Sequence, residues 1–319
     1  MEEVLVARNL ERRGRRNWLL LISLALSLVS LTALGLAFVE WSRPYPLPAL
    51  PHHLTPEHAG LLFEQERVTV RALAVGARLP DMPGWDDFMK GWLRLHAGQF
   101  QAAFPYFVAA LQRNPDNLMF GNALRRGLAL HQQWGPLLTV WDTLDTTHRD
   151  IRLQKALAMV DAMADTSRAD SWVGRLSMRS VAELDVLLNR NSYDWLARYA
   201  RGLNNLYWPV TLRRIDKAVV DLGYCVSMIE ALDLRDSWLA LGYIAYGDAL
   251  SKAGRGKEAI AAWQAGGNRF PNSLGLRRRL EAGPSGAMEI VRRERGLDSI
   301  HRPTPDTADL APIWDGAHP

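Results

Sequence analysis

The stretch of residues 239–272 limits the possible folds more than any other part of the sequence. Apolar residues recur at intervals of three and four over residues 237–253, which is typical of an amphipathic helix. A Gly-Arg-Gly break follows, and a second apolar face runs over residues 257–270 until Pro271 ends it. Two helices this short cannot bury their apolar faces alone, so they need similar neighbours on both sides. The pattern therefore predicts an all-α solenoid of helix pairs, and a helical bundle without repeats is the alternative.

The residues of this pair resemble the tetratricopeptide repeat (TPR), a helix pair of about 34 residues. Small residues, Gly247 and Ala259, stand where the two helices of that repeat cross closely, and Trp263 stands at its second-helix aromatic position. Gly266 replaces the alanine of the family near the end of the second helix, so we expect that end to be loose. The resemblance implies a TPR-like α-solenoid whose groove, lined by the first helices, holds segments of partner proteins.

A second copy of the pattern covers residues 85–114. Gly91 and Ala103 take the small positions, and Phe107 takes the aromatic position. The pattern then weakens, and one repeat length later Arg125 stands where the family has a small residue. The resemblance is therefore carried by two helix pairs, and the helices between them are predicted from apolar periodicity alone.

The N-terminus combines a basic segment with an uncharged apolar stretch. Residues 1–17 contain five arginines, and residues 19–39 contain no charged residue. A helix of 21 residues can cross a bilayer core of about 30 Å, and the tryptophans at both ends suit the interface. By the positive-inside rule we predict a cytoplasmic N-terminus, a transmembrane helix over residues 18–41 in the inner (cytoplasmic) membrane, and a periplasmic or extracytoplasmic remainder.

A cleaved signal peptide is the alternative interpretation of this segment. In the sequence Gly35-Leu36-Ala37, the glycine and the alanine provide small residues in a pattern compatible with cleavage. The apolar run is longer than the roughly 7–15 residues of a signal-peptide core. We therefore predict a retained anchor that contacts the lipid bilayer through residues 18–41.

The distribution of proline residues divides the rest of the chain into a spacer, a helical domain and a tail. Residues 42–56 contain five prolines and are predicted to form an extended spacer. Residues 57–282 are predicted to form the TPR-like domain, and its first helix is expected to run from about residue 55 to residue 79. Residues 283–319 are predicted to form a charged helix and a Pro-rich tail. In that tail Trp314, with the isoleucine before it, is either disordered or docked on this or another protein.

Aromatic and arginine residues between positions 195 and 214 are the main candidates for a partner-binding surface. Such residues are enriched at binding hot spots, although arginine stems lying over a core of aromatic rings would give the same pattern. The candidate partner-binding residues are Trp195, Arg198, Tyr199, Tyr207, Trp208 and Trp314. The candidate repeat-packing residues are Gly91, Ala103, Phe107, Gly247, Ala259 and Trp263.

Reaction motifs are absent from the sequence. It has no His-Glu-x-x-His, no Gly-x-Ser-x-Gly and no phosphate-binding loop. Its one cysteine, Cys225, cannot form an intramolecular disulfide and is predicted to be a small buried residue. A net charge of +4 gives little reason to propose a nucleic-acid partner. We therefore predict a non-enzymatic protein without catalytic residues, cofactor or metal.

These observations support two functional hypotheses. The first is a membrane-anchored scaffold that binds envelope or integral membrane proteins and assists assembly or stability of an envelope membrane complex. The second is a constitutive, non-catalytic structural subunit of a large membrane protein complex. The sequence identifies neither the client nor the complex.

Overall fold

The computed structural model of this chain describes residues 2–79 and 81–315, and within these ranges it contains α-helices and 3-10 helices but no strand. The all-α fold predicted from the sequence is confirmed. The chain divides into two compact units, Met1–Arg43 and Pro44–Pro319. The first consists of helix α1 (Glu2–Ser42), in which Ile22–Ser42 is long and apolar enough to cross a membrane by length and composition.

The second unit contains the remaining helices. These are α2 (Glu64–Val75), α3 (Trp85–His96), α4 (Phe100–Arg113), α5 (Leu118–Leu130), α6 (Trp134–Thr139), α7 (Arg149–Ala162), α8 (Asp170–Arg190), α9 (Trp195–Leu206), α10 (Ile215–Ala231), α11 (Ala240–Lys252), α12 (Gly256–Arg269), α13 (Leu274–Glu281), α14 (Gly283–Arg295) and α15 (Pro312–Asp315). The 3-10 helices are Val140–Thr143, Val210–Leu212, Ser237–Leu239 and Pro305–Ala308.

Helices α3 to α12 form successive pairs. In each pair the first helix packs on the one that follows, and the first helices α3, α5, α7, α9 and α11 also contact one another in chain order. The short turns between paired helices make them helical hairpins. This arrangement of stacked hairpins is the TPR-like solenoid that the sequence predicts.

The two clearest pairs share one contact between a glycine and an aromatic ring. A Cβ atom on Gly247 of α11 would lie 2.1 Å from Nε1 of Trp263 on α12, and one on Gly91 of α3 would lie 3.1 Å from the ring of Phe107 on α4. Ala103 and Ala259, at the other small positions, are completely or almost completely buried. Small residues therefore let the paired helices approach each other at these crossings.

The end of α12 differs from the expectation of a loose terminus. The helix continues to Arg269, and Gly266 is buried within it. A Cβ atom on Gly266 would lie 2.6 Å from Cβ of Tyr243. Glycine at this position therefore permits close packing of α12 against α11, and the expected loose end is wrong.

Helix α2 is shorter than the predicted helix over residues 55–79. It begins at Glu64 and ends before Gly76, which adopts the left-handed conformation with φ of 63°. The preceding residues form turns, and the carbonyl oxygen of Ala59 accepts a hydrogen bond from Trp195 N at 3.0 Å. A tertiary contact at the start of α9 therefore fixes this segment in a non-helical path that the local pattern did not indicate.

The Pro-rich residues after α1 belong to the second unit and pack on its other residues. The ring centroid of Tyr45 is 3.6 Å from the guanidinium carbon of Arg201. The hydroxyl of Tyr193 donates a hydrogen bond to Ala49 O at 3.1 Å, and Leu50 and Leu54 pack on the core. The segment has no helix or strand, as expected for a proline spacer, but it is docked rather than free.

Buried arginine–aspartate pairs connect the helices. Burying charge is costly unless the charges are paired and hydrogen-bonded. Asp221 on α10, completely buried, accepts hydrogen bonds from Arg198 and Arg201 on α9 at 2.8–2.9 Å. The other examples are Asp161 with Arg125, Asp194 with Arg149, and Asp248 with Arg279 and Arg295.

Glu66 of α2 makes the stability of the fold dependent on pH. Leu118 N donates a hydrogen bond to its Oε1 at 2.8 Å, and burial raises the pKa of Glu66 to about 7. Because the pKa of an unfolded glutamate is about 4.3, the folded state binds this proton more tightly. The contribution of Glu66 to stability is therefore highest below pH 4 and decreases as the pH rises to about 7.

We expect Glu66→Gln, which keeps an acceptor for Leu118 N, to raise the free energy of unfolding at pH 8 by about 1–3 kcal/mol. At pH 4, where the parent glutamate is protonated, the two proteins should unfold alike. Urea unfolding of both proteins in mild detergent at the two pH values measures the difference. An equal effect at both pH values would show that Glu66 is not the titrating group.

Candidate partner-binding groove

The C-terminal residues of the second unit lie in a groove across the first helices. We call the surface formed by α5, α7 and α9 the groove, and residues 296–314 the tail. After α14 the tail crosses the end of α9, then the loop between α7 and α8, then α5, and α15 packs on α2. The groove of this chain is therefore occupied by a segment of the same chain.

The groove, together with the residues just after α9, binds main-chain atoms of the tail. His301 N donates to Tyr207 O at 3.0 Å, and Val210 N donates to Leu297 O at 2.9 Å. Arg125 donates to the carbonyl oxygen of Ala308 at 2.5 Å. Backbone groups buried without partners are costly, so these contacts can stabilise in the groove a largely irregular segment, whose helical residues are limited to Pro305–Ala308 and α15.

Asn122 of α5 binds the tail through both atoms of its amide. Its Nδ2 donates to Asp309 Oδ1 at 3.0 Å, and its Oδ1 accepts from Leu310 N at 3.2 Å. Arg125 orients this amide by donating to the same Oδ1 at 2.7 Å, and Arg126 lies 3.4 Å from the Asp309 carboxylate. One asparagine therefore contacts the main chain and a side chain of the bound segment.

Arg302 of the tail donates hydrogen bonds to main-chain carbonyl oxygens of the helical unit. Its guanidinium donates to the carbonyl oxygens of Met163 at 3.1 Å and Asp165 at 2.9 Å, at the end of α7. Leu310 and Ile313 of the tail are buried, and Trp314 is partly buried against the core. Of the two alternatives for the tail, docking on its own chain is the arrangement in the structure; residues 316–319 lie outside the described residues.

The candidate partner-binding residues occupy different environments. Trp195 and Arg198 are almost completely buried: the indole Nε1 of Trp195 donates to Cys225 O, and Arg198 donates to Asp221. They match the interpretation as a core cluster. Tyr199, Tyr207 and Trp208, together with Trp195, line a cavity beneath the tail. A role for these residues in binding a partner stays a prediction.

Three basic side chains, Lys252, Arg295 and His301, lie close together where the tail follows α14. Lys252 Nζ donates to Leu206 O at 2.7 Å and to Arg295 O at 3.0 Å, which joins the ends of α9 and α14. Burial, together with the nearby Arg295, lowers the pKa of Lys252 to about 7. Burial and these two cations also lower the pKa of His301, whose ring stacks on Tyr207 at 5.8 Å between centroids. Lys252 and His301, near the start of the tail, therefore both have lowered pKa values, because burial and neighbouring cations disfavour their charged forms.

Sequence reasoning missed Asn122 and Arg125 as groove residues, and Arg302 as a tail residue that contacts the end of α7. One signal did point to Arg125: it replaces a small residue of the TPR pattern. A long charged side chain at such a position needs hydrogen-bonding partners when it is buried. Nothing in the local sequence marks Asn122 or Arg302. Within the described ranges, no group of three or more His, Cys, Asp or Glu residues could hold a metal ion.

Comparisons with known proteins identify a similar solved structure. No protein-family profile and no curated protein sequence matches the chain. Among solved structures, a thermophilic TPR protein of Thermus thermophilus is similar, with 21% sequence identity and a TM-score of 0.44. The similarity covers 62% of this chain and 97% of that chain. The description of the second unit as an all-α, TPR-like solenoid rests on its own helix pairs and on the close glycine contacts within them.

Proposed function

We propose that this protein is a TPR-like scaffold that holds a largely irregular segment of a protein partner in the groove. The observation that carries this proposal is the tail itself. Arg125, Tyr207 and Val210 bind its main chain, and Asn122 binds both its main chain and a carboxylate. Because main-chain contacts do not depend on side-chain identity, the same groups can bind a segment from another protein.

We further propose that α1 anchors the scaffold in the inner (cytoplasmic) membrane, with a cytoplasmic N-terminus and a periplasmic or extracytoplasmic helical unit. The support is the apolar stretch Ile22–Ser42, preceded by a cluster of arginines. A scaffold held at that surface meets other envelope proteins. Its partners would then be envelope or integral membrane proteins, and its non-catalytic role would be to assist assembly or stability of their complex.

Site-specific photocrosslinking in intact membranes tests this function. We would introduce p-benzoylphenylalanine at Leu241, a partly buried residue beneath the tail, and at Gln264, an exposed residue of α12. We expect protein adducts from position 241 but not from position 264, and more adducts when residues 297–319 are deleted. Adducts from position 264 alone would contradict a partner in the groove, and mass spectrometry would identify any partner captured.

A further inference from the structure

The loop between α7 and α8 surrounds one guanidinium group of the tail with four oxygen atoms. Arg302 donates to the carbonyl oxygens of Met163 at 3.1 Å, Asp165 at 2.9 Å and Arg168 at 2.6 Å, and to the carboxylate of Asp170 at 3.1 Å. Each of its two terminal nitrogens donates to two of these oxygens. A lysine has a single terminal nitrogen, so this set of acceptors suits arginine better than lysine.

A second charged contact of the tail lies seven residues further along the chain, at α5. Asp309 accepts a hydrogen bond from Asn122 at 3.0 Å and lies 3.4 Å from Arg126. Arg125 and Arg126 are both buried beside Asp161, which supplies one negative charge, and Asp309 supplies another. Because burying cations with fewer counter-charges is costly, the groove at α5 favours an acidic residue and disfavours a basic one.

Large apolar side chains of the tail follow this aspartate directly and four residues later. Leu310 and Ile313 are buried, and they line one mainly apolar cavity together with Leu157 of α7 and Leu203 of α9. Burial of apolar side chains favours binding of almost any segment that carries them. The two charged contacts, in contrast, fix which residues of a segment lie at α5 and at the end of α7.

We propose that the groove selects partner segments in which an arginine is followed, seven positions later, by an acidic residue, with large apolar residues one and four positions after the acid. This inference rests on the proposed function, because it assigns to the partner the pattern by which the tail occupies the groove. A segment with the two charges exchanged would place an acid against the oxygens around Arg302 and a cation against Arg125 and Arg126. The groove therefore distinguishes the order of the charges as well as their presence.

Charge reversal within the full-length chain tests the acidic position. Asp309→Lys should release the tail, because lysine would face two buried arginines, and hydrogen exchange of residues 300–315 in mild detergent should become at least about tenfold faster. Asp309→Glu, which keeps the charge, should remain closer to the parent. The control is Asp298→Lys, which makes the same change of charge at an exposed residue of the tail and should leave this exchange unchanged. Parent-like exchange in Asp309→Lys would overturn the proposal.

Peptides added to a full-length chain with a replaced tail test the complete pattern. In this chain Gly-Ser repeats of the same length replace residues 297–315, and circular dichroism checks its fold. Fluorescence anisotropy compares the parent peptide of residues 297–315 with its variants. Asp298→Asn should bind like the parent peptide, whereas Arg302→Lys and Asp309→Asn should each bind about tenfold more weakly.

An exchanged peptide separates this proposal from the proposed function. It carries Arg302→Asp together with Asp309→Arg, so its composition and net charge equal those of the parent peptide, and it should bind about a hundredfold more weakly. If the parent and exchanged peptides bind equally, the groove holds segments without selecting this pattern, and only the selection is overturned. If no peptide binds the folded chain, the proposed function is contradicted and the selection with it.

Discussion

Replacing Asp221 with alanine is expected to lower the free energy of unfolding by about 3–5 kcal/mol. Its carboxylate is completely buried and binds the guanidinium groups of Arg198 and Arg201. Without it, Arg198 keeps only the carbonyl oxygen of Ser192 as a described hydrogen-bond acceptor. The large effect comes from leaving a buried positive charge uncompensated, and not from the net strength of the original pair.

The control is Asp233→Asn, because Asp233 adopts φ of 48° and asparagine tolerates this left-handed conformation better than alanine does. Asp233 also contacts two arginines, Arg235 and Arg269, but its side chain is 74% exposed. Exposed ion pairs contribute little to stability because solvent and salt screen them, so this variant should unfold like the parent. Urea unfolding in mild detergent, followed by circular dichroism, compares the two variants. Equal and small effects would mean that Asp221 is hydrated and that the α9–α10 packing is looser than described.

Replacing Gly247 with leucine is expected to lower the free energy of unfolding by about 3 kcal/mol. Even a Cβ atom at this position would lie 2.1 Å from Trp263 Nε1, so α11 and α12 must separate or the indole must leave its place. The indole is almost completely buried, and its Nε1 lies 3.4 Å from Ile244 O.

The control for this prediction lies in the same helix pair. A Cβ atom on Gly256, at the start of α12, would meet nothing within 4 Å. Gly256→Ala should therefore leave stability unchanged or raise it slightly, because alanine favours the helix. A parent-like unfolding midpoint for Gly247→Leu would contradict a close crossing of α11 and α12, and with it the TPR-like pairing.

The sequence predicts the helix pairs well because their signal is local. Apolar residues at helical spacing, with glycine or proline at the ends, place the bounds of α3, α4, α11 and α12 within three residues of the observed ones. The predicted first helix was less accurate. Thr55 does accept a hydrogen bond from His58 N, but only a turn follows, since contacts with α9 determine the path of the chain to Glu64.

The groove could not be predicted in the same way. Asn122 and Leu310 are 188 residues apart in the sequence, and no periodicity joins them. The aromatic and arginine cluster was recognised, but sequence alone could not distinguish a surface from a core. Burial of Trp195 and Arg198 depends on Asp221 from the next helix and on the segment around Ala59, both of which become neighbours only in the folded chain.

The central claim is that the groove holds a largely irregular segment and that the tail occupies it in this chain. The most direct test is a fluorescence anisotropy titration of a labelled peptide of residues 297–315 into two proteins, the full chain and a chain ending at Gly296. We expect saturable one-to-one binding to the shortened chain, weakened by Asn122→Ala, and no binding to the full chain. If the shortened chain is folded by circular dichroism yet does not bind the peptide, or if both chains bind it equally, the claim is contradicted.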